Sequence, residues 1–137
     1  MMVTARGPIM IELGARMGGD NITTHLVPLS TGIDMIKATI DVSLGQEPDI
    51  RPKLHCGSAI RYFKVPQGII KSINGIERAE VIPGVKQITF TKSVGDEATS
   101  IHCSNDRIGF VVAQAESVED AVDICETAQN VVKIVVE

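Results

Sequence analysis

The sequence has 137 residues, which suits one domain or two small ones. Hydrophobic residues make up 44% of it and aromatic residues 3%, so an aliphatic core is expected and wholesale disorder is not. The net charge of −4 argues against nucleic acid as a main partner, because binding to phosphates over a surface needs a basic face. No apolar run approaches the roughly 18 residues of a membrane helix, and the N-terminus does not have the long apolar stretch of a signal peptide. The three cysteines, Cys56, Cys103 and Cys125, form no CxxC pair, which favours reduced thiols and a cytoplasmic location.

Near the N-terminus, the sequence predicts a short strand followed by a glycine-rich loop. Residues 9–13 are apolar on both faces of a strand, which is typical of a strand inside a sheet, and residues 14–20 form the loop. A buried strand so close to the first residue leads us to expect further sequence upstream. A carboxylate, a cation and bare backbone N–H groups lie within about ten residues of one another, as in a phosphate site. The candidate residues are Glu12, Arg16, Gly18, Gly19 and Asp20.

Two helices are predicted next. The first begins at Asn21, and Pro28 would kink or end it. The second covers residues 33–44, with Asp34 as a favourable charge in its first turn and Gly45 as its stop. Its predicted inner face carries Ile33, Ile36, Ile40 and Leu44, and its predicted outer face carries Lys37 and Asp41.

A linker is predicted over residues 45–54, which contain two prolines and several charges, so we divide the chain into domains at 1–48 and 49–137. The second part is β-rich, with one long helix that starts at the N-cap Ser117 and ends near Asn130. The predicted inner face of that helix carries Val118, Ala121, Val122, Cys125 and Ala128. Strands are predicted over 59–65, 68–73, 85–91, 107–115 and 131–136, with a short helical segment over 75–81. The fold class is therefore predicted as α+β.

Several of these segments resemble ATP-grasp enzymes. The stretch from Glu12 to Arg16 (ELGAR) is similar to the E-x-N-x-R motif of that family. The segments RMGGD (Arg16–Asp20) and HLVPLSTGID (His25–Asp34) resemble its amino-acid-ligase, biotin-carboxylase and carbamoyl-phosphate-synthase-like branches. Gly75–Val85 and Arg107–Asp123 resemble the small C-terminal domain of those branches. The resemblance implies the end of an ATP-grasp domain, a strand plus two helices, followed by a small mixed β-rich domain with one long helix.

The resemblance also implies a chemistry: ATP phosphorylates a carboxylate, and an amine or other nucleophile then displaces the phosphate. It implies that Glu12 binds Mg²⁺ or Mn²⁺ and that Arg16 is the catalytic residue that clamps the acyl phosphate or the small-molecule carboxylate substrate. Gly18 and Gly19 would offer backbone N–H groups to an anion, and Asp20 would cap a helix or contact the amine. The nucleotide-binding half of such an enzyme is expected outside this chain, which by itself is expected to be inactive and to bind neither ATP nor metal tightly.

One departure from the family pattern favours an alternative function. Gly14 stands where the motif has Asn, so it offers no side chain to a second metal ion. The alternative is a non-catalytic assembly or ligand-binding module derived from an ATP-grasp enzyme. Glu12 and Arg16 would then form an ordinary surface pair. In either case, open edges on strand 9–13 predict self-association of the chain.

The histidines have simpler readings than catalysis or metal binding. His25 lies on the apolar face of the first predicted helix, where packing is favoured over a role as a base. The pairs His55–Cys56 and His102–Cys103 contain zinc-binding residue types. Neighbours along a strand point to opposite faces, however, so each pair would give one ligand per face.

Overall fold

The N-terminal residues form a hairpin in the structure, a computed structural model that describes residues 2–14 and 16–137. Strand β1 (Met2–Thr4) pairs antiparallel with β2 (Gly7–Ile9), with Met2 opposite Ile9. The predicted buried strand over 9–13 is therefore wrong, because β2 ends at Ile9 and Ile11 is 64% exposed. The physical reason is that, in the described residues, β2 pairs with β1 alone, so nothing covers the faces of residues 10–14. Ala15, inside the predicted motif, lies outside the described residues.

The first predicted helix consists of a π-helical turn, Ile22–Leu26, that runs directly into helix α1, Val27–Thr31. Pro28 lies in the first turn of α1, where its missing N–H costs little, so it marks the change from π to α geometry and does not end the helix. Gly32, at φ 73°, ends α1, and its N–H donates to the Pro28 carbonyl at 2.8 Å.

Helix α2 (Met35–Ser43) has its N-cap at Asp34, whose Oδ1 accepts a hydrogen bond from the Lys37 N–H at 2.9 Å. The predicted inner and outer faces of this helix are wrong for most of their residues; the buried Ile33, which precedes the helix, and the exposed Lys37 are as predicted. Ile40 is 53% exposed and Leu44 is 68% exposed, whereas Asp41 is buried, with its carboxylate 2.5 Å from Lys37 Nζ. The spacing of apolar residues identifies a face of the helix, but it does not say whether this chain covers that face.

The second part of the chain is the predicted mixture of short strands and helices, and it follows an irregular segment over 44–56. Strands β3, β7 and β5 form one antiparallel sheet in that order, and β6, β4 and β8 form another. The elements are β3 (Gly57–Tyr62), β4 (Gly68–Asn74), α3 (Ile76–Glu80), β5 (Val85–Phe90), β6 (Glu97–Ala98), β7 (Gly109–Ala115), α4 (Val118–Val131) and β8 (Lys133–Val136).

The core lies between α4 and the sheet that contains β3 and β7. Ala121, Cys125 and Ala128 of α4 are fully buried, as predicted, and Ser117 Oγ accepts from the Asp120 N–H at 3.0 Å. Val118 is 56% exposed, so its predicted inward position is wrong; it is the first residue of the helix, before the buried face begins. No helix in the described residues is long and apolar enough to cross a membrane.

Side-chain and backbone hydrogen bonds tie the α1 region to this sheet. Ser58 Oγ donates to the Leu26 carbonyl at 2.9 Å, and Gln114 Nε2 donates to the Leu29 carbonyl at 2.5 Å. Farther along, the Cys56 N–H donates to the Ser30 carbonyl at 3.0 Å. The glycine-rich loop, which directly precedes the π-helical turn, is thus held next to the β3–β7 sheet.

Candidate active-site segment

Glu12 and Arg16, the predicted metal and anion ligands, both have exposed side chains. The structure records no ion pair between them among the described residues, so the simple surface pair considered above is not formed. Arg16 Nη1 donates to the neighbouring Met17 carbonyl at 3.1 Å. Gly14 lies beside the Arg16 side chain, since a Cβ added at Gly14 would be 3.6 Å from Arg16 Cγ. The carboxylate and the guanidinium are therefore both available to groups outside the chain.

The two glycines differ in their surroundings. A Cβ at Gly18 would lie 3.3 Å from the Ile22 side chain, whereas a Cβ at Gly19 would meet nothing within 4 Å. The Gly18 carbonyl accepts from Thr23 Oγ1 at 2.9 Å, and Thr23 is only 4% exposed. Gly18 is thus packed against the π-helical turn, while Gly19 is open to solvent and to a ligand.

Two consecutive residues that carry a Cβ, the last of the loop and the one after it, have left-handed backbone conformations. Asp20 has φ 52° and Asn21 has φ 60°. Such conformations cost free energy for residues with a Cβ and persist where the surrounding structure holds them. Asn21 starts the π-helical turn, since its carbonyl accepts the Leu26 N–H at 3.0 Å. Turns of this kind occur often at functional sites.

Asp20 contacts a residue that the sequence did not single out. Asp20 Oδ1 lies 2.7 Å from Arg107 Nη1, and the two residues are 87 positions apart in the chain. The predicted role of Asp20 as helix N-cap is wrong, because Asn21 occupies the N-cap position. The Asn21 side chain makes no capping hydrogen bond. The sequence predicted Arg107 only as the start of a strand. A single cation at that position does not indicate which distant residue it contacts.

Arg107 forms one wall of a small pocket. Its guanidinium lies 4.0 Å from the centre of the Tyr62 ring, within the range of a cation–π interaction. The Tyr62 hydroxyl is buried without a hydrogen-bond partner among the described residues, and burial together with the nearby Asp20 charge raises its pKa. The phenol therefore stays protonated at neutral pH. The pocket has a volume of about 160 Å³ and is lined by Asp20, Asn21, Tyr62, Thr91, Ser104, Arg107, Gly109 and Phe110.

The remaining candidates do not converge on this segment. His25 is half-buried, and its Nδ1 lies 2.7 Å from Thr24 Oγ1, so it has the partner expected of a packed histidine. The three cysteines are free thiols. Within residues 2–14 and 16–137, no group of three or more His, Cys, Asp or Glu side chains is arranged to hold a metal ion.

Comparison with known proteins identifies this architecture. A family model described as L-amino acid ligase C-terminal domain 2 matches residues 61–137. The chain is 31% identical over 126 residues to the uncharacterized protein y4rH of Sinorhizobium fredii, covering 91% of this chain and 26% of that protein. It is 30% identical over 137 residues to the phosphoribosylamine–glycine ligase of Methanobrevibacter smithii, covering 96% of this chain and 30% of that protein.

Solved structures show the same fold. The L-amino acid ligase of Bacillus licheniformis matches with a TM-score of 0.76 at 22% identity, over 96% of this chain and 33% of that one. A biotin carboxylase domain from Hydrogenobacter thermophilus, solved with MgADP, ADP and bicarbonate, matches with a TM-score of 0.63 at 20% identity, over 98% of this chain and 30% of that one.

The fold is thus that of the C-terminal region of ATP-grasp ligases, which confirms the α+β class and the predicted resemblance. The chain belongs to the L-amino acid ligase C-terminal domain 2 family. It spans about a quarter to a third of the length of the relatives it matches.

Proposed function

We propose that this chain is the C-terminal portion of an ATP-dependent carboxylate–amine ligase or carboxylase. The observation that carries the proposal is the set of exposed side chains of Glu12, Arg16 and Asp20, in a segment that is joined to a domain of the L-amino acid ligase family. In this reading, residues 1–48 complete an ATP-grasp domain whose nucleotide-binding half lies elsewhere, and residues 49–137 form the small C-terminal domain.

The candidate residues of the segment have defined parts in the proposed reaction. The γ-phosphoryl group of ATP passes to an oxygen of the carboxylate substrate and ADP leaves; the nucleophile then attacks the acyl carbon and phosphate departs. Arg16, with its planar fork of N–H donors, holds the carboxylate and then the acyl phosphate. The open backbone at Gly19, next to Gly18, lets N–H groups approach the phosphate oxygens. Asp20 contacts the amine.

Mg²⁺, or Mn²⁺ in its place, would offset the negative charge that develops on the ATP phosphates during the transfer. The chain offers one side-chain ligand that suits such a metal site. Glu12 is a hard oxygen donor with no ion-pair partner among the described residues, whereas Gly14 contributes no side chain. Because Mg²⁺ commonly takes only one or two carboxylates and fills its shell with water and phosphate oxygens, a single glutamate from this chain is compatible with it.

Reconstitution tests the proposal. The 137-residue chain is mixed with the separately expressed remainder of its parent polypeptide. The mixture should release ADP in a reaction that depends on a carboxylate substrate. Arg16→Met should abolish the restored activity, while Arg6→Met, which removes another exposed cation, should leave it unchanged. Restoration that is equally strong with Arg16→Met would contradict the assigned role of Arg16.

The 137-residue chain alone should not bind MgATP tightly, since one carboxylate and an anion clamp give too few contacts. Calorimetry should detect no binding at micromolar concentrations. A dissociation constant in that range would show that the chain holds its own nucleotide site. We expect ATP-linked chemistry of this kind in the cytoplasm.

A non-catalytic assembly or ligand-binding module is the second candidate, and the replacement of the motif Asn by Gly14 favours it. Under that reading the chain forms a stable homodimer, and no upstream segment restores ATP turnover. Because some self-association is expected under either function, the reconstitution described above is the experiment that separates them.

A further inference from the structure

Arg107 connects the active-site loop to the β-sheet, and we propose that it is a positioning residue that fixes the conformation of Gly18–Asn21. The inference rests on the function proposed above. Its central observation is the 2.7 Å contact between Arg107 Nη1 and Asp20 Oδ1, which joins the loop to a residue just ahead of β7.

The loop needs an external support. Asp20 and Asn21 both have left-handed backbone conformations that side-chain-bearing residues rarely adopt. Residues 16–20 are exposed, so burial contributes little to the stability of the loop. On the helix side, Thr23 holds the Gly18 carbonyl. The ion pair with Arg107 holds the loop from the opposite side, at the position where the left-handed conformation begins.

Arg107 is itself firmly placed, so it can act as the fixed end of this contact. Its carbonyl accepts from Thr91 Oγ1 at 2.6 Å, and its N–H donates to the Ser104 carbonyl at 3.3 Å. Its guanidinium rests on the ring of Tyr62, a residue of β3 that pairs directly with Phe110 of β7. The Arg107 side chain is 26% exposed, compared with 47% for Asp20. The sheet therefore sets the position of the guanidinium, and the guanidinium sets that of the loop.

The rival interpretation is an ordinary surface ion pair, which contributes little to stability. Two features distinguish the Asp20–Arg107 contact from the pair between Arg51 and Asp49, which lies in the irregular segment after α2. The Arg51 side chain is 88% exposed, and its partner is two residues away. Arg107 is stacked on an aromatic ring and reaches a distant loop. Arg51→Met is therefore a matched control for Arg107→Met, since each removes the cation of an Arg–Asp pair.

Hydrogen exchange on the 137-residue chain tests the positioning role directly. The N–H groups of Ile22, His25 and Leu26 donate to the carbonyls of Gly19 and Asn21, so they report on the loop conformation. In Arg107→Met and in Asp20→Asn, these three N–H groups should exchange at least about fivefold faster, while those of β3 and β7 keep their rates. The double variant should match the single variants, because both remove the same contact. Arg107→Lys should retain part of the protection, and Arg51→Met should behave as wild type. Unchanged exchange at these three N–H groups, or equal acceleration throughout the sheet, would overturn the proposal.

In the full-length polypeptide, Arg107→Met should lower kcat for ligation by about 10- to 100-fold, the scale expected when a reacting group is misplaced by about 1 Å. The KM for ATP should stay unchanged, and the Arg107→Met/Asp20→Asn double variant should lose no more than the more damaging single variant. Additive losses would mean that Arg107 acts independently of Asp20. The exchange experiment does not depend on ATP chemistry, so it would still decide the positioning role if the proposed ligase function failed.

Discussion

The exposed apolar face of α2 should mediate association of this chain, and the double variant Ile40→Ser/Leu44→Ser tests this. These side chains are 53% and 68% exposed. Full burial of such a side chain is worth about 1.5–3 kcal/mol, so covering what is now exposed would contribute about 1–2 kcal/mol for each residue. The double replacement removes about 2–4 kcal/mol from each copy, so with a factor of ten for each 1.4 kcal/mol association should weaken by at least about 30-fold, and by more where both copies contribute this face.

Sedimentation equilibrium measures this effect. The wild-type chain should self-associate at about 100 μM, a concentration at which weak contacts become visible, whereas the double variant should be monomeric there. Val81→Ser is the matched control, because Val81 is 79% exposed but lies at the end of α3. A strictly monomeric wild-type chain, or the same dissociation constant for the double variant and for wild type, would refute the reasoning.

Three further results are expected. Gly57→Ala should lower the midpoint of thermal unfolding, because the added Cβ would lie 1.9 Å from the Ser117 carbonyl oxygen and such overpacking costs about 1–3 kcal/mol. Gly19→Ala is the control and should leave the midpoint unchanged, because its Cβ would meet nothing within 4 Å. Cys125 should resist alkylation at pH 8 in the folded chain, because burial raises the pKa of its thiol to about 11, and mass spectrometry should show exposed Cys103 labelled first. Gly14→Asn should fold normally, since its added Cβ makes only ordinary contacts. In the full-length polypeptide it should lower the Mg²⁺ concentration that gives half-maximal activity, because the amide oxygen adds a metal ligand.

The sequence predicted the second part of the chain well because its elements are stabilised by contacts that local patterns record. The nearly continuous apolar run of β7 and the cap at Ser117 indicate their structures directly, and Ala121, Cys125 and Ala128 are buried at the predicted helical spacing. These elements pack against each other within the chain, so the apolar faces that the pattern identifies are also the faces that are covered.

The first part was predicted less well because several of its apolar side chains have no covering partner among the described residues. Ile11 and Ile40 show the periodicity of buried elements and yet are exposed, since a pattern cannot say where the covering surface comes from. The contact between Asp20 and Arg107 was missed for a different reason. It is a single long-range pair, and neither residue stands in a pattern that points to the other.

The central claim is that Glu12 serves a metal-dependent ATP reaction, and turnover of the full-length polypeptide tests it most directly. Glu12→Gln removes the carboxylate charge and keeps the shape of the side chain, while Glu47→Gln does the same at another exposed glutamate. With a carboxylate substrate present, ADP release by Glu12→Gln should fall by at least about 100-fold, with a partial recovery at high Mg²⁺. Glu47→Gln should retain full activity. An ADP release rate for Glu12→Gln equal to that of Glu47→Gln would contradict the account.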